Sequence, residues 1–539
     1  MSPTKTKPVS AFKVLVIDDQ QQMRQIIRES LYRLGIRNVV MAGTAAEALK
    51  LMGADTIDLV LSDYNLGAGT DGQQLLEAAR SSRVLSPVAP WIFITANSIR
   101  SDVLAAGDYL PDGYIVKPFT DQLLSRYIEG LSARKGALAP LLVAADMKNW
   151  EQVLDIAEGY VRRGDALSVE GLKHKAQALM KLARFDEARA ACEQALQMNS
   201  QLAWANLGQA QALRALGQTD AARSALETLI ESQADYAAAY DALLEIVEEQ
   251  GDQDAALSTA QAVAELVPNA RRKIKLGTVA LGAGQAEVAV KALEQAVAKN
   301  KGSVTRSHHE NLLLAQALVD SGDTRKALSV AADVVKQFPE QPQAQILSKA
   351  VSAQAHQRSG NAEAAAGLMA EVEQSLAHTP LADEHKLMVA KSALATGRLD
   401  VGQGLIEAVA RNNTDKPLLV AAALRAAQGT PVEAQCRERV AQAGAEVQRA
   451  LEGLAQAKRS GEFAQAISIG EMALTLSPAN FTVLIELCTL YLVAMTRLGQ
   501  AQQHAERARE LLDSLEARHA NHDRVAAARK FYRERLAAA

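Results

Sequence analysis

Four residues of this chain could do chemistry together: Asp18 and Asp19 after the run Phe12 to Ile17, Asp63 after Leu59 to Ser62, and Lys117 after Tyr114 to Val116. Three carboxylates meeting at one place repel one another unless a cation sits among them, and a small, hard, oxygen-seeking ion such as Mg²⁺ is the natural one. With the ion present, one carboxylate can attack phosphorus. Thr95, at the end of Trp91 to Thr95, can donate a hydroxyl hydrogen bond, and Lys117 can neutralise an equatorial oxygen.

These residues need a scaffold that brings strand ends to one edge. Five short β-type runs (the four above and Val39 to Ala42) alternate with amphipathic stretches in which Met23, Ile26, Ile27, Leu31 and Leu34, and later Leu75, Leu76 and Ala79, recur at helical spacing. Alternation of this kind predicts an α/β doubly wound five-stranded parallel sheet, with its ligand site at the carboxyl ends of the strands near the reversal of strand order.

Taken together, Ile-Asp18-Asp19, Leu-Ser-Asp63-Tyr-Asn65, Ile-Thr95-Ala96 and Tyr114-Ile-Val-Lys117-Pro118-Phe resemble the receiver domain of two-component response regulators over about residues 11–133. The stretch Met23 to Arg28 adds the chemotaxis-regulator type, and the fold implied is flavodoxin-like. The resemblance implies Asp63 as phosphoacceptor, Asp19, Asp63 and the Asn65 carbonyl as Mg²⁺ ligands, and Asp18 holding a metal-bound water. It implies Thr95 and Lys117 as switch and clamp, Tyr114 as the aromatic switch, and Asn65 and Asn97 as residues that tune dephosphorylation, here toward a site open to water. One departure is the family's usual proline after Asn65: this chain reads Leu66-Gly-Ala-Gly-Thr-Asp-Gly72, which predicts a more flexible loop.

After Arg134 the strand signals stop. Breaks at Ala183, Gly217, Gly251 and Gly284 lie 34, 34 and 33 residues apart, and further breaks follow at Gly322, Gly360, Gly397, Gly461 and Gly499. The interval of 64 between Gly397 and Gly461 implies a degenerate copy near 413–446. Pro268, Pro339 and Pro478 close second helices, and Ala188, Ala222, Ala256, Ala289, Ala327 and Ala466 supply small residues where paired helices approach. This register resembles the tetratricopeptide repeat, an all-α superhelical solenoid of about ten copies over 138–518. A disordered tail at 1–10 and a capping helix at 519–539 complete the expected organisation.

Composition narrows the function. Lys plus Arg is 58 against 62 for Asp plus Glu, with 14 of each sign up to residue 134, so neither part carries the basic excess of a protein that neutralises phosphate backbones; no nucleic acid partner is expected. The basic residues Arg529, Lys530, Arg533 and Arg535 read as a solvated capping face. The apolar stretch Val483 to Met495 contains Glu486 and falls short of a membrane span. Three widely spaced cysteines suit a reducing cytoplasm; Cys192 reads as a small core residue and His308-His309 as a solvated helix start. No phosphate-binding glycine loop, HExxH or GxSxG pattern occurs, so no enzymatic output is expected beyond self-phosphorylation and self-dephosphorylation.

The function these features predict is a bacterial response regulator. A histidine kinase or phosphotransfer protein would phosphorylate Asp63, and the array would bind a protein or peptide through first-helix residues Lys173, Gln177, Lys181, Arg214, Asp241, Glu245 and Glu248. A homodimer through the receiver is open. The alternative is a constitutive scaffold whose receiver does not switch.

Overall fold

The computed structural model describes residues 7–67, 70–95, 111–301, 307–497, 501–519 and 523–538. Its first part is a parallel sheet of β1 (Lys13–Ile17), β2 (Asn38–Ala42), β3 (Leu59–Ser62), β4 (Trp91–Thr95) and β5 (Gly113–Val116), in the order β2-β1-β3-β4-β5. Pairing is in register from Lys13 opposite Asn38 to Ile17 opposite Ala42, and from Val14 opposite Leu59 to Ile17 opposite Ser62, so Asp18 and Asp63 leave the sheet side by side.

Alternation along β1 divides the core in two. Leu15 and Ile17 pack with Val60, Trp91 and Phe93 under α2 (Ala45–Ala54) and α3 (Gly72–Ser81), whereas Val14 and Val16 pack with Leu61, Ile92 and Ile115 under α1 (Gln21–Arg33) and α4 (Asp121–Asp146). Period-two side chains feeding two buried faces are what a doubly wound sheet demands. The expected fourth crossover helix, with Ala96 and Asn97, lies outside the described residues.

The gap expected between residues 133 and 138 is instead the interior of one helix: α4 runs 26 residues from the sheet into the first repeat pair. Two demands act on successive parts of it. Leu124 and Ile128 cover the sheet, and Leu138, Leu141 and Ala144 pack with Val153, Leu154 and Ala157 of the next helix, Trp150–Arg163.

From there the described residues are helix after helix to Ala538, and the described connections between them are short. Many of the described turns are closed by residues of positive φ: Lys148, Ala183, and glycines at 164, 217, 251, 284, 322, 360, 397, 429 and 461. Gly429 halves the long interval, and one 27-residue helix, Glu433–Arg459, spans from the short Pro417–Ala426 to its partner Phe463–Leu476. The degenerate copy is thus a shortened first helix with its second helix fused to the next repeat. Every small residue named above, from Ala188 to Ala466, is fully buried, as is Cys192 within 1 %.

His308 and His309 are not a solvated helix start. Helix His308–Ser321 is buried continuously from Glu310 to Val319, and its first turn packs inward: His309 Nδ1 lies 3.3 Å from His385 Nε2, and the His308 ring meets Phe338 edge-on at 5.7 Å. A helix buried on all sides has neighbours on all sides, which carries its first turn into the packing. The chain forms two compact units, residues 1–243 with 261–273 and 295–306, and residues 244–260 with 274–294 and 307–539; the sheet belongs to the first.

Candidate functional site

β1 and β3 end in carboxylates because the strands are apolar up to their last buried residue and the chain must then turn at a polar edge. Asp18 is 1 % exposed and Asp63 9 %. Lys117, which follows β5, brings Nζ to 2.9 Å from Asp18 Oδ2 and 2.7 Å from Asp63 Oδ2. Its backbone N–H donates to Thr95 O at 2.8 Å, which fixes the lysine's height at the sheet edge.

Electrostatics follow from this enclosure. Burial pushes the Asp18 carboxyl above the usual carboxylate range, against the lowering by its hydrogen bonds from Lys117 and the Gln20 N–H. For Lys117 burial works to lower the ammonium, yet the bonds to Asp63 and Asp18 prevail and hold it above its ordinary value. A buried charge is tolerable only when paired, and one lysine serves two carboxylates here.

The surrounding groups shape the loops. Arg24 Nη1 donates to Asp18 O at 2.5 Å and Asp19 O at 3.2 Å, clamping the turn after β1. The Asn65 N–H donates to Asp63 Oδ1 at 3.3 Å. Gly72 N–H donates to Tyr64 O at 2.7 Å, and a Cβ on Gly72 would lie 2.5 Å from Asp63 O and 2.8 Å from the Phe93 ring. Fully buried Phe93 also meets Tyr64 edge-on at 5.5 Å and Tyr114 at 5.7 Å, linking the phosphoacceptor loop to β5. Tyr114 is half-buried against this cluster, and burial raises its phenol.

Of the residues singled out from sequence, Asp18, Asp63 and Lys117 come together and Thr95 is buried at the same edge. Asp19 is exposed, and its Oδ2 would lie 3.2 Å from a Cβ on Gly67. Among the described residues no three acidic, imidazole or thiol groups stand close enough to hold an ion; the Lys117 ammonium fills the space between Asp18 and Asp63. Two of the three carboxylates expected to converge thus share the lysine, while the third, Asp19, is exposed. By type and charge the oxygen donors still suit a hard cation such as Mg²⁺. Leu66 and Thr70 are buried, so the loop expected to be freer is anchored on both sides of Ala68-Gly69, which lie outside the described residues, as does Asn97. Sequence reasoning passed over Arg24, Gly72 and Phe93 as site residues; the signal available was Gly72 directly before a helical pattern.

The array candidates separate. Asp241 accepts from Arg272 at 2.6 Å and Glu248 from Lys275 at 2.7 Å, so both are engaged within the repeats, whereas Gln177 is exposed and Lys173 half-buried. Lys181, Arg214 and Glu245 also have partners within the protein. Arg529 is paired with Glu516 and Asp513.

A family model for the response regulator receiver domain matches residues 14–129, and tetratricopeptide-repeat models match 179–247 and 312–375. The chain is 34% identical over 122 residues to the chemotaxis protein CheY of Pseudomonas aeruginosa, covering 97% of that protein and 23% of this one. Among solved structures it is similar to a response regulator receiver domain protein from Clostridium thermocellum (27% identity, 24% of this chain and 98% of that one, TM-score 0.21). It is also similar to YrrB, a TPR protein with an unusual peptide-binding site (19% identity, 35% and 93%, TM-score 0.30). The chain belongs to the response-regulator family, with a CheY-like receiver domain at its N-terminus and tetratricopeptide repeats, which are protein-interaction modules, downstream.

Proposed function

We propose that a histidine kinase or phosphotransfer protein phosphorylates Asp63, and that the charge added there changes which protein or peptide the repeat array binds. The observation that carries this reading is the Lys117 ammonium bonded to both Asp18 and Asp63: a cation already lies where a phosphoryl oxygen would arrive. An Asp63 carboxylate oxygen attacks phosphorus, a P–O bond forms, the bond to the donor breaks and the donor leaves with its electron pair. Lys117 then exchanges Asp63 Oδ2 for a phosphoryl oxygen, and the Thr95 hydroxyl donates to another. Asp19, Asp63 and the Asn65 carbonyl would hold Mg²⁺, with Asp18 on a bound water; bound there, the ion supplies neutralisation of the phosphoryl oxygens. Tyr114, leaning on Phe93, follows Thr95 inward, and Asn65 and Asn97 set the lifetime of the acyl phosphate. The protein does this work in the cytoplasm, with exposed first-helix residues such as Gln177 offered to the ligand.

The test is incubation with Mg²⁺ and acetyl phosphate, followed by intact mass and partner capture for wild type and Asp63→Asn. One labile phosphate on wild type alone, with unequal capture, is expected. Phosphate on wild type with equal capture moves the reading to a constitutive scaffold, which the continuity of α4 between sheet and repeats favours.

A further inference from the structure

The turn after β1 carries two carboxylates, and they are held in different ways. Asp18 is fixed by its side chain: Oδ1 accepts the Gln20 N–H at 2.9 Å and Oδ2 accepts from Lys117 Nζ at 2.9 Å. Asp19 is exposed, and among the described residues no hydrogen bond or ion pair reaches its carboxylate. What fixes Asp19 is its backbone. Arg24, in the first turns of α1, donates from the single atom Nη1 to Asp18 O at 2.5 Å and to Asp19 O at 3.2 Å. Consecutive carbonyls of a strand point to opposite edges, so two that meet one nitrogen mark the place where β1 is broken off. The break follows directly on the last ladder bond, from Asp18 N–H to Ala42 O at 3.3 Å.

Room for the guanidinium is made by Gly43, the residue after β2. A Cβ there would stand 3.3 Å from Nη1, 3.6 Å from Cζ and 3.7 Å from Nη2 of Arg24, near-equal distances that place it over the flat face of the group. A larger side chain at this position would press the guanidinium off its two carbonyls. From the other direction the loop that follows Asp63 returns at Gly67, where a Cβ would lie 3.2 Å from Asp19 Oδ2. Asp19 is thus held through its carbonyl and faced by the phosphoacceptor loop.

We infer that Arg24 is a positioning residue of the phosphorylation site: by fixing both carbonyls of the Asp18–Asp19 turn it sets the Asp19 carboxylate where, together with Asp63, it takes a divalent cation. The inference rests on the ion being held by Asp19 and Asp63 as proposed above, and it adds the residue that aims one of those ligands. Without the clamp, part of the binding free energy goes into ordering the turn, and affinity falls. Position and charge make opposite demands here. A guanidinium near a cation site repels the cation, so as a charge alone Arg24 weakens binding, whereas as a clamp it strengthens it. Lysine carries the same charge on a chain that ends short of Nη1 and has no planar face to lay on Gly43, so it does not replace arginine in this role.

The test uses the full chain without a phosphodonor and Mn²⁺ as the probe, with the free ion counted by electron paramagnetic resonance and the bound fraction displaced by Mg²⁺ to show that the two share a site. Asp19→Asn marks that site, since the Mn²⁺ it fails to bind is the ion held there. Arg24→Met and Arg24→Lys should each weaken this binding by about tenfold. Gly43→Val, which keeps Arg24 and displaces its guanidinium, should weaken it in the same direction. Thermal midpoints of the metal-free variants are measured alongside, and each titration is run below the variant's own midpoint. Arg24→Met binding as tightly as wild type or more tightly, whatever its midpoint, overturns the inference and leaves the ion at Asp19 standing. Arg24→Lys binding like wild type also overturns it, because charge alone then suffices. Asp19→Asn binding Mn²⁺ as wild type does overturns both the inference and the proposed placement of the ion.

Discussion

At the scale of single residues, the site depends on an absent atom as much as on its charged groups. Gly72 sits where a Cβ would press on the Asp63 carbonyl at 2.5 Å and on the Phe93 ring at 2.8 Å. Neither neighbour can yield, since one is backbone and the other fully buried. Gly72→Ala should lower receiver stability by about 1–3 kcal/mol, as overpacking does, and should slow phosphorylation of Asp63 because the strain falls on its own peptide. Gly453→Ala is the contrast. It lies inside helix Glu433–Arg459 with nothing nearer than 3.7 Å to a new Cβ, so the same change should stabilise by about 0.5–1 kcal/mol. Thermal midpoints of the two variants moving in opposite directions would bear this out; equal shifts would show that the crowding at Gly72 is relieved elsewhere.

At the scale of elements, turns decide how well each repeat closes. Many turns use glycine at positive φ, but the turn between Ser168–Lys181 and Phe185–Met198 places Ala183 at φ 57°. The left-handed region costs a residue with a Cβ about 1–2 kcal/mol. Ala183→Gly removes that cost and adds backbone freedom to the unfolded chain, so a net gain of about 0.5–1 kcal/mol is expected, read as a higher denaturant midpoint with unchanged slope. Loss of stability would mean that the Ala183 methyl contributes more than its backbone costs.

The histidine turn is a second element-scale feature. Burial and the neighbouring His309 depress His385 to about 4, with Glu384 opposing and His308 adding to the effect. The folded value lies below the unfolded one, so as pH falls below about 6.5 the unfolded chain takes up the proton first. Stability supplied by neutral His385 is complete above that pH and declines down to about 4, by at most about 3 kcal/mol. His385→Leu should flatten this decline without abolishing it, because His309 and His174 are also depressed by burial. Melting curves of the variant and wild type in parallel from pH 7 to 4 would refute the argument.

The elements also show what sequence could carry. Strands Leu59–Ser62 and Trp91–Thr95 are read to the residue, because continuous apolar runs bounded by polar ends have a single buried solution. Asp18, Asp63 and Lys117 were legible for the same reason: each is the first charged residue past a strand. The role of Lys117 between two carboxylates was not, since period and type say where side chains emerge but not which pair forms. His308-His309 was misread because its burial depends on His385, 76 residues away. The fused helix Glu433–Arg459 hid one turn signal, Gly429, in a stretch whose first helix is too short to show a repeat phase.

At the scale of the molecule, the central feature is that receiver and first repeats share α4 and one compact unit. Lys135, in the middle of that helix, reaches back to the receiver: Nζ lies 2.9 Å from Asp112 Oδ1 and donates to Pro87 O at 3.0 Å. Its neighbour Arg134 pairs forward with Glu170 of the repeats. Asp112 also lies 3.9 Å from Arg80, so Lys135→Met would leave that carboxylate partly compensated, and a loss of about 1–3 kcal/mol is expected rather than collapse. The informative quantity is where the loss is felt. If α4 transmits mechanically, hydrogen exchange in Lys135→Met should rise both in β5 (Gly113–Val116), which Asp112 precedes, and in helix Trp150–Arg163, which packs on the far end of α4. A rise confined to the receiver side would mean that the helix joins the two parts without coupling them.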